Sequence, residues 1–484
     1  MPIFQGGDIM NRENVLQIHK ASLNILEDIG IEFQDKEILD ILSRNGVKIQ
    51  NNRAYFTEYQ VMENLSKAPN EFTLYARNKK YNMNININSV HYAPGYGCAK
   101  IREVDGCIRD GKLDDYIRFT KLVHVSDVFD INGGIIIQPN DIDANLSHLI
   151  MLYTSITKSD KCIMTIPGEY KKFKQSIDLV SIVVGGKDKL KEKPYMITLV
   201  STLSPLKVDK NALETIKLSC EYKQPMVICP GPMAGATGPI SLAGNMAMGN
   251  AEAIATIALT QIISPGTPII YSMACTTTDM KTGNVSIGSP GFALQAAYTS
   301  NLAKLYNLPN RAGGGQCDAN GITIQAGAET MMNMMATHQE KSNFIQHAAG
   351  ILDSYSSISF EKFVADLEII SRLKYYYQDL EISDKTIPMK VIKDVALNNK
   401  SFLTGKHTAK RCRKDPWFPS IALRGKLKLN DTPENLMLES INKQINKLLD
   451  EYEKPEISFE IQSSLREYML KVGVDKKVLD VIDL

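Results

Sequence analysis

Closely spaced cysteine pairs are missing from this sequence. Cys98, Cys107, Cys162, Cys220, Cys229, Cys275, Cys317 and Cys412 stand alone, which argues against a zinc ribbon or a thioredoxin-like CxxC motif. Single thiols in a chain this long suit a reducing compartment. The opening MPIFQGGDIMNRE lacks the basic start and apolar core of a secretion signal. With no run of ~18 apolar residues, no membrane span is expected either, and the expected location is the cytoplasm. Charge of one sign is also lacking: 55 basic residues face 54 acidic ones, a net of +1. A nucleic-acid binder would carry a basic excess, so neither nucleic acid nor membrane is an expected partner. The chemistry-bearing motifs are equally sparse. No HExxH or HxH spacing supports a metal site, no GxSxG elbow supports a serine hydrolase, and neither GxGxxG nor GK[ST] supports a nucleotide cofactor.

What is present is a rhythm. The 484 residues are 44% apolar and 23% charged, ordinary values for a globular protein and a length that one elaborated barrel can fill. The first 89 residues read as a separate α+β layer. Val15, Ile18, Ile25, Leu26 and Ile29 recur at helical spacing before a stop at Gly30, and FTLYAR and YNMNINI alternate as half-buried strands do. From VHYAPGYG onward, β-rich runs recur at residues 128–138, 161–166, 195–202, 225–230, 267–273, 310–315 and 343–348, most followed by a turn and a helical pattern. Eight strands joined by helical crossovers predict a (βα)8 TIM barrel over residues 90–394, with a doubly wound open sheet as the alternative. Residues 395–484 read as a helical C-terminal extension, held to the barrel by a packed turn at PWFP.

In such a barrel the reactive groups come from loops at the C-terminal strand ends. GPMAGATGPISLAGN (residues 231–245) is a glycine-rich loop that lets backbone approach a ligand or forms a tight irregular turn. AGGGQCDANGITIQAG places Arg311, Gln316, Asp318 and Asn320 at or just beyond the seventh strand. Gln325 and Glu329 follow on one face of the next helix. Their plain alternative is capping and interhelical bonding. His347 ends the eighth strand in NFIQHAAG, a ligand-facing position or a satisfied core histidine.

The ordered set AGATGPISLAGNMAMGNAEAIATIALTQIISPGTPIIYS, TDMKTGNVSIGSPGFAL, LYNLPNRAGGGQCDANGITIQAGAE, AAGILDSYSSISFEKFVADLEII and FLTGKHTAKRCRKDPWFP resembles the trimethylamine methyltransferase family over residues 90–420. The resemblance implies a (βα)8 barrel that moves a methyl group from an amine nitrogen to the cobalt of a corrinoid. No DxHxxG corrinoid motif occurs here, so the expectation is no cofactor on this chain and a corrinoid (cobalamin) brought by a cognate corrinoid protein. Trimethylamine-specific members carry a pyrrolysine in the loop after the seventh strand. Here QCDANGITIQ has standard residues, with Asn320 near that place, as in the branch that resembles glycine betaine, proline betaine and carnitine demethylases. Gly291 departs from the acidic residue expected in SPGFAL.

A quaternary ammonium needs no electrophilic activation, since losing a methyl leaves a neutral amine. The task is holding and aiming the cation. The expected cage is Tyr92, Tyr96 and Tyr271, with Gln316, Asn320, Gln325 and Arg311 as further substrate contacts. His347, Asp318 and Glu329 are the candidate catalytic groups. The alternatives are another methylated amine, a barrel that binds a quaternary amine without methyl transfer, and a lyase using Asp318 and His347 as an acid–base pair. A homo-oligomer is expected from the fold class.

Overall fold

The computed structural model describes residues 11–428 and 432–484, so Met1–Met10, most of the stretch read above for a secretion signal, lie outside the described residues. The eight β-rich runs form eight strands: β1 His91–Tyr92, β2 Ile131–Gly133, β3 Cys162–Thr165, β4 Met196–Val200, β5 Met226–Ile228, β6 Ile269–Ser272, β7 Asn310–Gly313 and β8 Phe344–Gln346. They pair in parallel in sequence order from β2 to β8, and β8 pairs with β1. A parallel bridge between Tyr92 and Phe129, just ahead of β2, closes the ring. That closure rules out the open doubly wound sheet.

Each strand leads to a helix antiparallel to it: α1 Leu113–Val125, α2 Ser147–Lys158, α3 Tyr170–Val184, α4 Lys210–Glu221, α5 Leu242–Ile263, α6 Pro290–Leu305, α7 Ile324–Gln339 and α8 Phe360–Tyr376. The last barrel helix therefore ends short of the expected boundary at residue 394. By composition α5 is long and apolar enough to cross a membrane, but 89% of its apolar window is buried inside the protein. It is a core helix, covered on one side by the barrel and on the other by the N-terminal layer.

Strand alternation decides what the barrel holds. Ala93, Ile131, Cys162, Met164, Ile197, Val227, Cys229, Ile270 and Phe344 share one cluster in the interior. Phe72, Leu74, Met83 and Ile85 belong to the same cluster. These last four come from an antiparallel hairpin, Glu71–Leu74 with Met83–Asn86, the two alternating segments of the N-terminal region. Tyr75 N–H donates to the Pro194 carbonyl and Asn78 N–H to that of Asp160, residues just before β4 and β3. The hairpin is thus an apolar plug at the N-terminal end of the barrel, which leaves the opposite end as the way in.

The helix Arg12–Asp28 begins at an Asn11 cap whose Oδ1 accepts from Glu13 N–H. It lies on α5, where Ser22 Oγ donates to the Ala247 carbonyl. Gly30 ends it at φ +69°, and a Cβ there would meet the Ala54 carbonyl oxygen at 2.7 Å. At the far terminus, Ile441, Ile445 and Leu448 of Pro433–Asp450 are buried, as are Leu465 and Met469 of Phe459–Lys471 and Leu479 and Ile482 of Lys476–Asp483. These helices wrap the outside of α8, α1, α2 and α3. Over the mouth, Lys100–Arg102 and Ile108–Asp110 from the β1–α1 connection join Ile351–Leu352 and Ser357–Ile358 from beyond β8 in a small four-stranded sheet.

One buried ion pair ties the last two strand-end loops to the helices behind them. Lys362 Nζ lies 2.6 Å from both Asp366 oxygens and donates to Thr330 Oγ1 and the Gly315 carbonyl, while Gly350 N–H donates to Asp366. Both side chains are almost wholly buried. Removing one partner leaves the other charge stranded. Lys362→Met is expected to cost about 3–5 kcal/mol, read as a fall in the urea midpoint, and Lys362→Met with Asp366→Leu is expected to recover most of it. A single variant as stable as the wild type would contradict this role.

Candidate active site

The inward face of β7 and β8 carries polar residues. Asn310 points outward, donating through Nδ2 to Ser300 Oγ of α6, so by alternation Arg311 points into the barrel. It is 2% exposed. Its Nε donates to Gln346 Oε1 at 3.0 Å, and Gln346 Nε2 donates to the Met164 sulfur across the barrel. Among the described residues no carboxylate forms an ion pair with Arg311. A buried guanidinium without a carboxylate partner is costly, and this one lies on the inward face of the barrel.

His347 follows β8 with a left-handed backbone, φ +56°, a conformation that costs a non-glycine residue about 1–2 kcal/mol. The turn is held by Gly315 N–H, which donates to the His347 carbonyl. Tyr96 N–H donates to His347 Nδ1 at 3.2 Å, which places the ring proton of the neutral tautomer on Nε2. Burial, aided by the positive Arg311, pushes the imidazole well below its usual range. The rings of Tyr96 and Tyr355 stand edge-on to His347, with centroids 6.4 and 5.0 Å away. Gln316 Nε2 donates to Tyr355 Oη at 2.9 Å, while Gln316 Oε1 is buried without a partner among the described residues. Gly313 makes room: a Cβ there would lie 2.3 Å from Gln316 Nε2.

The structure therefore brings Arg311, Gln316, His347 and Tyr96 together, with Gln346 and Tyr355 beside them. It does not bring the other two tyrosines there. Tyr92 faces outward, its Oη 2.5 Å from His338 Nε2 of α7 and its ring under Lys374 of α8. Tyr271 also faces outward, donating to Asn250 Oδ1 of α5 and packing on Tyr306. Alternation is the reason: Ala93 and Ile270, their neighbours, hold the inward positions. Neither tyrosine faces the interior that the expected cage requires.

Asp318 and Glu329 are committed to the backbone. Asp318 accepts from Ile287 N–H, Gly288 N–H, Ser286 Oγ and Ser354 Oγ. Glu329 Oε2 accepts from Asp318 N–H and its Oε1 from Gln325 Nε2. Neither makes a recorded bond to His347, so the acid–base pair of the lyase alternative is not formed. Asn320 bonds to Asp353. These four residues line a polar cleft of about 800 Å³ on the rim, with Arg102, Asp279 and Asp353. Gly291, in the first turn of α6, sits close against Thr277 Cγ2, where a side chain would collide at 2.9 Å.

Tyr355 and Gln346 escaped the sequence reading. Gln346 was detectable from alternation, two residues beyond the inward Phe344. Tyr355 was not, because it enters from an irregular turn: Asp353, Ser354 and Tyr355 all have positive φ. Asp353 anchors that turn through two bonds from Arg102 and others from Ser357 and Asn320. Burial pushes its carboxyl up, but these bonds outweigh burial and hold it below the usual range.

A family model described as trimethylamine methyltransferase (MTTB) matches residues 3–474. A glycine betaine methyltransferase of Desulfitobacterium hafniense (strain Y51) is 37% identical over 96% of this chain and 97% of that protein. An L-carnitine:corrinoid methyltransferase of Eubacterium limosum is 27% identical over 93% and 94%. Among solved structures, a hydroxylamine complex of MtmB superposes with a TM-score of 0.54 at 12% identity, covering 93% of this chain and 89% of that one, which supports the barrel fold.

The environment of His347 has a measurable sign. A folded pKa below the unfolded one means that the neutral ring contributes stability above about pH 6.5, and that this is lost as pH falls toward the folded value. In nitrogen-15 spectra the His347 ring is expected to stay neutral from about pH 8 to pH 6. A midpoint near 6.5 would overturn this picture of a dry imidazole.

Proposed function

The chain belongs to the trimethylamine methyltransferase family, and from that premise we propose that it moves a methyl group from a carboxylate-bearing quaternary amine, of the glycine betaine type, to a corrinoid on a separate protein. The observation that carries this reading is Arg311, a buried cation with no carboxylate of its own, set beside the rings of Tyr96, His347 and Tyr355. A lone ammonium about 5 Å from a guanidinium is repelled by about 3 kcal/mol at an effective dielectric of 20. A zwitterion reverses that sign, because its carboxylate neutralises Arg311 while its cation rests on aromatic faces. A singly charged quaternary amine keeps the aromatic contact but meets the repulsion of Arg311, and a neutral amine gains neither contact.

The reaction breaks one N–CH3 bond with its electron pair left on nitrogen, so the product is a neutral tertiary amine. The partner's corrinoid supplies a reduced cobalt that accepts the methyl. The work of this chain is positional. Arg311 and Gln346 fix the carboxylate end, and Tyr96 and Tyr355 limit the tilt of the ammonium. His347, neutral, donates through Nε2 without adding a second positive charge. Burial pushes the Tyr355 phenol up to about 12, so it stays protonated and adds no charge to the pocket. The plug at the barrel base directs approach to the mouth, where the partner's corrinoid meets the exposed methyl. Eight free cysteines accord with a reducing cytoplasm for such chemistry.

The test is anaerobic decay of Co(I) absorbance with a competent corrinoid protein and one amine at a time. Turnover is expected with glycine betaine or a related betaine and not with choline, which lacks the carboxylate. Arg311→Met is expected to lower kcat/KM by about 2–5 kcal/mol, roughly 30- to 4,000-fold, and to narrow the preference over choline. Tight betaine binding with no Co(I) decay would instead favour a binding protein. Equal turnover of betaine and choline would remove the carboxylate role of Arg311.

A further inference from the structure

Tyr355 reaches His347 from a turn that cannot hold its own shape. Asp353, Ser354 and Tyr355 have φ of +50°, +51° and +76°, a left-handed backbone that is disfavoured at each of these non-glycine residues. Such a turn persists only where its surroundings over-determine it. Part of that support comes from a different connection, the β1–α1 hairpin of Lys100–Arg102 with Ile108–Asp110. Arg102 spans the two. Its Nη1 donates to the Gly106 carbonyl at 2.9 Å, in the tip of the hairpin. Its Nε and Nη2 donate to the two oxygens of Asp353 at 3.0 and 2.6 Å. The pair is secluded, with side-chain exposures of 12% and 9%, so water is a poor substitute for either partner. Only a planar fork with several fixed donors can make all three bonds at once, which a lysine cannot.

The turn also acts as a partition. On its outer side Arg102, Asp353, Ser354, Ser356 and Ser357 border the polar cleft of about 800 Å³. On its inner side the Tyr355 ring stands edge-on to His347 at 5.0 Å, and its Oη accepts from Gln316 Nε2 at 2.9 Å. Arg102 bonds to none of Arg311, Gln316 and His347 among the described residues. Its route to the pocket is through Asp353 and the two residues that follow. The strand pairing keeps that route short, because Ile101 lies in register with Ile358 and Lys100 with Ser357.

We propose that Arg102 is a positioning residue for methyl transfer: from outside the pocket it fixes the Tyr355 ring, and so aims the substrate ammonium without touching it. The inference rests on the function proposed above. The carboxylate end of the substrate is held by Arg311 and Gln346, which the clamp does not reach. Losing Arg102 therefore widens the range of orientations open to the bound cation more than it weakens binding. A misplacement of about 1 Å in an aligned reactant costs about 100-fold in rate.

Fluorine NMR of the full chain carrying meta-fluorotyrosine reads the ring directly, the Tyr355 signal being the one lost in Tyr355→Leu. In Arg102→Met that signal is expected to shift and broaden. In Arg102→Lys, which keeps one charged contact to Asp353, it is expected to return part of the way. A Tyr355 signal unmoved in Arg102→Met would overturn the proposal. Methylation of Co(I) on a competent corrinoid protein with glycine betaine gives the second readout. Arg102→Met is expected to lower kcat about 100-fold and to change KM by a factor of about two at most. In the Tyr355→Leu background the same substitution is expected to lower kcat by about twofold or less. Additive losses would mean that Arg102 acts otherwise than through Tyr355, and would also overturn the proposal. If Arg102→Met fails to fold, Arg102→Lys takes its place in the same spectra and the same cycle. A wild type that methylates no cobalt counts against the function proposed above, while the Tyr355 signal still decides for or against Arg102.

Discussion

An arginine held dry inside a closed barrel sets the terms for the rest of the molecule. Arg311 reaches that place because strand alternation turns it inward and Asn310 outward. A guanidinium does not shed its proton, so the barrel must accommodate a fixed charge. Its surroundings avoid adding another. His347 is kept neutral by burial and by Arg311 itself, Tyr355 stays protonated, and Gln346 and Gln316 offer amides rather than carboxylates. A pocket with one unpaired positive charge and several aromatic faces is selective by sign before shape is considered.

The base of the barrel serves the same constraint. Phe72, Leu74, Met83 and Ile85 fill the N-terminal end with apolar volume contributed from outside the barrel sequence. Water reaching Arg311 from below would screen it and weaken every interaction at the site. With that end sealed, the charge is exposed to a ligand from one direction. The cover at the other end belongs to the two connections flanking the closure point, β1–α1 and β8–α8, so the elements that complete the ring also roof it.

The barrel was legible in the sequence because parallel strands are short apolar runs at regular spacing, and all eight fall where the runs do. The site was legible in part. Arg311, Gln316 and His347 follow from being at strand ends, and Tyr96 from the turn beyond β1. Tyr92 and Tyr271 did not, because strands buried on both faces lose the apolar–polar alternation that would reveal which way a side chain points. With Ala93 and Ile270 equally acceptable inside or outside, parity could be set by register alone. Tyr355 was hidden for another reason: three successive residues in the left-handed region are a tertiary outcome, with no glycine to announce them.

That turn accounts for the partners of the carboxylates that the sequence offered as catalytic candidates. Left-handed backbone at three non-glycine residues costs about 1–2 kcal/mol each, and such strain persists where the surroundings over-determine it. Asp318 holds Ser354 from one side, and Asp353 is held by Arg102, Ser357 and Asn320 from the other. Ser354 N–H and Asp353 N–H donate to the Cys317 and Ala319 carbonyls, which fastens the turn to the loop beyond β7. Glu329 in turn fixes Asp318 through its N–H. The acidic residues of the β7 loop therefore brace the turn that carries Tyr355, whose ring lies beside His347. A cluster of carboxylates at a barrel mouth invites an acid–base reading, yet their partners here are backbone N–H groups, hydroxyls, the Gln325 and Asn320 amides and the Arg102 guanidinium. None of these carboxylates forms an ion pair with Arg311 among the described residues, so its positive charge is left without a carboxylate partner.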